Sequence, residues 1–229
     1  VVVGAVDTGD ADRIVRLLSA ELGRVSVVVR RARSRSGAAT QVGTVVRVTA
    51  ASPRDGLYAA KSVEVVAGPM RARDSLLRIG LLSYGCELCA ALAPEHTPAP
   101  KLAGLLRAWL ALLEGPNEPG TAHRLALEAK ACTFAGLAPA LLRCATCGGG
   151  LDDPTVFDPE SGGGIHARCG GGARVTTTAL RDLDQLRRQP LSEIGDAAAP
   201  QVPAWLLAGF VEHHLGRPLV SRAWLAGAG

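Results

Sequence analysis

The sequence predicts an α+β chain: a small five-strand barrel, then an α-helical domain that carries a metal-stapled insert. Three observations carry this. Val-rich runs punctuated by turn residues fill residues 1–68. From residue 71 onward, apolar residues recur at spacings of three and four. Residues 144–172 are Gly-rich and hold three cysteines and one histidine.

The elements follow in order. Residues 1–6 are an apolar strand closed by Asp7-Thr8-Gly9-Asp10. Residues 13–19 are a second, with Glu21-Leu22-Gly23 as its turn, and the β-branched residues 24–30 a third. Residues 31–37 form a basic, polar loop. Residues 44–49 alternate Val with polar side chains, Ser52-Pro53-Arg54-Asp55-Gly56 is a turn, and residues 57–66 form the last strand. Five short strands in this length suit a closed barrel of the OB type.

Helical spacing then takes over. Leu77, Leu81, Tyr84, Leu88 and Leu92 form one stripe; Leu102, Leu105, Leu106, Trp109, Leu110 and Leu113 form the next. A third helix covers residues 120–135, with Gly136 as its stop and Pro139 preventing continuation. Short connections bearing Pro or Gly imply antiparallel packing. Residues 144–172 are neither periodic nor apolar and are expected to be loop-like. Residues 178–188 are helical again, and a last helix spans residues 203–215, with Pro203 in its first turn and Gly216 as its stop. The expected partition is an OB-type domain over 1–68, a helical domain over 69–143, the insert over 144–172, and the rest of the helical domain over 173–229.

Composition narrows the class. With 48% hydrophobic and 20% charged residues, and a mean hydropathy of +0.19, the chain can bury a core and is not disordered. No uncharged apolar run approaches the ~18 residues of a spanning helix. The chain starts at Val1, so a few preceding residues are expected, and VVVGAVDTGD lacks the basic segment and cleavage site of a signal peptide. The expectation is a soluble cytoplasmic protein without membrane contact. Aromatic residues are only 3%, so Leu, Val and Ala must build the core.

Charge is unevenly placed. Residues 1–70 carry ten basic and six acidic side chains; residues 144–229 carry seven and nine. From Arg24 to Arg54 there are seven Arg and no acid, which suggests an anionic partner. A solvated loop in a basic protein is the plainer alternative.

The strongest chemical signal is Cys144-Ala-Thr-Cys147, followed after eighteen residues by His166-Ala-Arg-Cys169. Two close pairs at this separation match a structural zinc ribbon or knuckle. A C-x2-C turn aims two sulfurs at one point, and the second pair completes a tetrahedron. The Gly triplets after each pair permit tight turns. So few apolar residues imply that a metal supplies what the core does not. One structural Zn²⁺ per chain, held by Cys144, Cys147, His166 and Cys169, is therefore expected. A redox pair at Cys144 and Cys147 is the competing reading, although it lacks the usual strand before and helix after. A disulfide does not suit a cytosolic chain.

Other residues read as structural. Cys86 and Cys89 share a helix face and are expected to be buried packing, as is Cys132. His213 and His214 suit the negative end of a last helix, and His96 and His123 sit beside loops, where solvation is expected. There is no Walker motif, no H-E-x-x-H, no G-x-S-x-G and no paired carboxylate constellation. No catalytic site is expected.

Several segments resemble the RecO family of recombination mediators, over nearly the whole chain. Gly9-Asp10-Ala11-Asp12-Arg13-Ile14-Val15 is similar to its G-E-x-D-R-I-V segment, and Glu21-Leu22-Gly23-Arg24-Val25 to its following turn. Arg30-Arg31-Ala32-Arg33-Ser34-Arg35-Ser36 resembles its basic loop. Phe134-Ala135-Gly136-Leu137-Ala138-Pro139 with Arg143-Cys144-Ala145-Thr146-Cys147-Gly148 resembles its L-x-G-[LY]-x-P…C-x-x-C-G passage. His214-Leu215-Gly216-Arg217-Pro218-Leu219 with Ser221-Arg222 resembles its terminus. Each piece alone is weak; their order and spacing are fairly specific. Three positions depart: His166 stands where zinc-bearing members place a Cys, Arg31 where a Gly is usual, and Val42 where an aromatic is frequent.

The resemblance implies a non-enzymatic role in DNA repair and recombination. Members bind single- and double-stranded DNA, anneal strands, partner with RecR, contact the acidic tail of single-stranded DNA-binding protein, and so help RecA indirectly. It also implies association with the nucleoid. Arg13, Arg24, Arg30, Arg31, Arg33, Arg35 and Arg47 are the expected DNA-binding residues. No aromatic precedes Tyr58, so charge and not stacking is expected to hold the strand. Two other classes compete: a zinc-ribbon protein that contacts protein and not DNA, and a thiol enzyme using Cys144 or Cys147.

Overall fold

The computed structural model describes residues 1–32, 37–54, 56–195 and 198–227. The chain separates into two compact units, Val1–Asn117 with Trp224–Gly229, and Glu118–Ala223.

The first unit begins with β1 (Val2–Thr8), β2 (Asp12–Ser19), β3 (Gly23–Val29), β4 (Val45–Arg54) and β5 (Leu57–Ala67). The sheet order is β1-β2-β3-β5-β4, with β3 parallel to β5 and the other pairs antiparallel. This is the OB order. Among the described residues strand pairing does not close the ladder, but Val2 donates to the Thr44 carbonyl and Gly43 to the Val2 carbonyl, each at 2.9 Å, tying β1 to the chain entering β4. Register shifts in the β4–β5 pair help the sheet curl. Along β3 burial alternates strictly, so Val25, Val27 and Val29 point inward. They pack with Val2, Val15 and Leu17 and with Val46, Val48, Tyr58, Ala60 and Val63.

Gly23 is required by geometry. Its φ is +63°, and a Cβ there would stand 2.1 Å from the Thr97 carbonyl oxygen. Arg31 adopts φ +52°, the left-handed conformation that a glycine would reach without the ~1–2 kcal/mol cost of a side chain. Its N–H donates to Asp12 Oδ1 at 2.9 Å.

Helices α1 (Leu76–Leu92) and α2 (Pro100–Leu113) follow, as the stripes predict. Ser75 caps α1 by accepting from the Arg78 N–H, and Pro100 opens α2 at its first turn. Trp109 is fully buried, and its indole N–H donates to the Leu81 carbonyl at 3.0 Å. Gly85 makes room for it, since a Cβ there would meet the indole at 2.4 Å. Buried Arg78 donates to the carbonyls of Leu113, Gly115 and Pro116.

The second unit holds α3 (Thr121–Phe134), β6 (Thr155–Asp158), β7 (Gly163–His166), β8 (Ala173–Val175), α4 (Thr177–Arg188) and α5 (Leu206–Leu215). Helix α3 packs against α4 and α5. A further helix, α6 (Val220–Gly227), ends the described chain.

Four expectations are corrected. The insert is not loop-like: β6, β7 and β8 form an antiparallel sheet in the order β7-β6-β8. Its Phe157 is buried and meets Phe210 edge-on at 5.8 Å, so burial does contribute there. The helix expected from residue 203 starts at Leu206, because the Pro203 carbonyl accepts the Leu206 N–H in a preceding turn. It is also not the last, since α6 follows. His123 is buried instead of solvated; its Nδ1 accepts the Gly120 N–H at 3.2 Å, satisfying one orphan donor of α3. Among the described residues no helix is long and apolar enough to cross a membrane.

Candidate metal centre and nucleic-acid interface

The sequence folds locally to bring Cys144, Cys147, His166 and Cys169 together. The Cys144 carbonyl accepts the Gly148 N–H at 2.8 Å, closing the first turn, and Gly148 holds φ +73°. The Ala145 N–H donates to the Gly164 carbonyl at 2.9 Å and pins this turn beside β7. Strand β7 delivers His166, whose carbonyl accepts the Cys169 N–H at 2.8 Å in the second turn. Gly163 is close to the chain here: a Cβ would stand 2.5 Å from the Ala140 carbonyl oxygen.

The four donor atoms lie within 4.8 Å of one another. His166 Nδ1 is 3.4 Å from Cys147 Sγ and 3.8 Å from Cys169 Sγ. With metal–sulfur bonds of ~2.3 Å and metal–nitrogen bonds of ~2.0 Å, a tetrahedron has edges of about 3.5–3.8 Å. The donor set therefore fits a soft divalent ion with no coordination position left over. The other ring nitrogen, Nε2, is 2.9 Å from the Gly150 carbonyl oxygen and 3.0 Å from Asp152 Oδ1, so the ring is held with Nδ1 toward the sulfurs. Burial raises the Cys144 thiol, yet the N–H groups of Cys147, His166 and Thr146 outweigh it and bring its pKa to about 6. Burial, hydrogen bonds that the Cys169 thiol donates to the Cys144 and Cys147 sulfurs, and the negative charge of those sulfurs push Cys169 up to about 11.

The remaining cysteines behave as packing, as expected. Cys86, Cys89 and Cys132 are fully buried. Burial pushes Cys86 and Cys132 each to about 12 and also raises Cys89. Alkylation of the native chain with iodoacetamide in the presence of chelator should therefore modify exposed Cys147 and spare these three, since the thiolate is the nucleophile. Peptide mapping that finds Cys86 or Cys89 labelled first would contradict this burial.

The arginines divide. Arg13 donates to Asp7 Oδ1 at 2.7 Å and to Thr40 Oγ1 at 3.1 Å, so its charge is used within the fold. Arg24 pairs with Glu95 at 2.9 Å and donates to the Ala90 carbonyl. Arg47 faces Glu64 at 3.5 Å, with both side chains largely exposed. Arg30 and Arg31 are exposed at the end of β3. Arg33 and Arg35 lie outside the described residues. Sequence reasoning missed exposed Arg16 and Lys61. The signal for Arg16 was present: between inward Val15 and Leu17, strand alternation turns it outward.

The family model described as Recombination protein O N terminal matches residues 1–69, and that described as Recombination protein O C terminal matches residues 73–223. The chain belongs to the RecO family. Among relatives named DNA repair protein RecO, that of Myxococcus xanthus (strain DK1622) is 33% identical, covering 100% of this chain and 96% of the relative. That of Anaeromyxobacter sp. (strain K) is 39% identical, covering 98% and 93%. That of Pelotomaculum thermopropionicum is 34% identical, covering 98% and 91%. The N-terminal RecO match coincides with the OB sheet, and the C-terminal match contains all four Cys and His donors.

Proposed function

We propose that this chain is a non-enzymatic DNA-repair and recombination mediator. It binds single- and double-stranded DNA, promotes annealing, and with RecR helps RecA load on strands coated by single-stranded DNA-binding protein, whose acidic tail is a partner. It acts in the cytoplasm at the nucleoid. The observation that carries this reading is the RecO match across both halves of the chain. An OB-type sheet with exposed Arg16, Arg30, Arg31 and Lys61 supports it, because phosphate contacts position a nucleic acid without reading its sequence. Zn²⁺ would sit among Cys144, Cys147, His166 and Cys169 and staple the insert; four protein donors leave no place for a reactive water.

Binding should fall steeply with salt. In fluorescence anisotropy, Arg30→Glu with Arg33→Glu should weaken binding to all sequences alike. It should also flatten the slope of log K against log salt by up to roughly two units, about one for each phosphate no longer neutralised. No binding by the unaltered protein at low salt would overturn the proposal in favour of a protein-interaction role.

A further inference from the structure

A carboxylate stands behind the histidine of the Cys and His cluster. The two ring nitrogens of His166 face different chemistry. Nδ1 is turned to the sulfurs of Cys147 and Cys169. Nε2 lies 2.9 Å from the Gly150 carbonyl oxygen and 3.0 Å from Asp152 Oδ1. A carbonyl oxygen and an ionised carboxylate can only accept hydrogen bonds. Nε2 must therefore carry the ring proton and share it between them. The lone pair of a neutral imidazole is then left on Nδ1, on the side of the sulfurs.

The segment 149–153 holds these acceptors in place. The Gly149 carbonyl accepts the Cys144 N–H at 2.8 Å, which ties the segment to the first cysteine turn. The Asp152 carbonyl accepts the Thr155 hydroxyl at 2.7 Å, where the chain enters β6. The next residue, Asp153, accepts the Thr177 N–H at 3.0 Å and the Thr177 hydroxyl at 3.2 Å, satisfying a donor at the start of α4. The backbone at Asp152 is thus fixed on both sides while its side chain reaches the ring.

The two acceptors differ in charge. A carbonyl orients the imidazole; a carboxylate also makes it a stronger electron donor to a metal on its other nitrogen. Arg168 Nη1 lies 3.8 Å from the same Asp152 oxygen, but both of these side chains are largely exposed, and such a pair contributes little. His166, by contrast, is buried. We propose that Asp152 is a positioning residue for the metal: it fixes His166 as an Nδ1 ligand and sets how tightly the ion is held. The inference rests on the zinc reading of the cluster above.

The test uses the full chain, zinc ion and a competing chromogenic chelator. Asp152→Ala should raise the zinc dissociation constant about 10–100-fold. Asp152→Asn keeps an accepting oxygen without its charge and should fall between Asp152→Ala and the unaltered chain. Arg168→Gln should leave the constant unchanged. Thermal melts of the metal-free chains should coincide, because the carboxylate acts on the bound ion; a merely structural Asp152 would lower the metal-free melt as well. Long-range proton–nitrogen NMR of the zinc-loaded chain should find the His166 proton on Nε2 and the metal on Nδ1. Equal zinc constants for the unaltered chain and Asp152→Ala, or a metal on Nε2, overturn the role of Asp152 and leave the zinc reading standing. An Arg168→Gln loss as large as that of Asp152→Ala does the same. Failure of the unaltered chain to bind zinc overturns both.

Discussion

Replacing Cys147 with serine should strip the metal from the second unit and open the segment between residues 144 and 172 to proteolysis. The reason lies in how little else holds that segment. Its buried cluster is Cys144, Val156 and Ile165, with Leu151 and Cys169 packed beside it, so two of its members are themselves metal donors. Structural zinc binds zinc-finger peptides with about 10–16 kcal/mol at neutral pH, more than this cluster and the Phe157–Phe210 contact supply. Cys147 is the position to change because it is exposed, whereas Cys144 is buried and its loss would also disturb packing. Elemental analysis of the unaltered chain, purified under reducing conditions without chelator, should find one zinc per chain. Cys147→Ser should hold far less, and trypsin should cut at Arg168 or Arg174 while the OB sheet resists. Chelation should do the same to the unaltered chain. Well under one zinc per chain, together with unchanged protease resistance, would show that burial alone holds the insert.

The Cys and His cluster was legible in the sequence because its geometry is local: each pair spans one turn, and the spacing alone says that both atoms of a pair can face one point. The helices were legible for the same reason, since a stripe such as Leu102, Leu105, Leu106 and Trp109 is set by near neighbours. The strands β6, β7 and β8 were not, being at most four residues long and separated by glycine-rich turns that read as loop. Helix α6 escaped because contacts far along the chain fix it: Trp224 and Leu225 fill the space beside Gly80, where a Cβ would come within 2.2 Å of the indole. The partners of the arginines were the least legible. Whether a guanidinium is available to a phosphate depends on acids remote in sequence, as Arg24 with Glu95 and Arg47 with Glu64 show. Charge counts could find a basic region but could not say which charges the fold had already used.

The buried pair Arg124 and Glu128 gives a second large expected effect. They lie one turn apart on α3, bonded at 2.6 Å, with side chains 6% and 0% exposed. Arg124 also donates to the Ala204 carbonyl at 2.6 Å, and its guanidinium lies 3.8 Å from the Trp205 ring centroid. One side chain thus joins α3 to the turn that starts α5. Arg124→Met keeps the apolar stem but leaves a fully buried carboxylate without this cation, which should cost about 3–5 kcal/mol. Arg124→Lys should lie between, since an ammonium keeps the charge but loses the planar fork and the stacking on Trp205. The double variant Arg124→Met with Glu128→Leu should recover most of the loss, because it removes both charges together and no ion is left stranded in the core. Thermal or denaturant unfolding of the second unit reads all three. A double variant as unstable as Arg124→Met would show that the contacts to Ala204 and Trp205, and not the pairing of charge, are what α3 requires there.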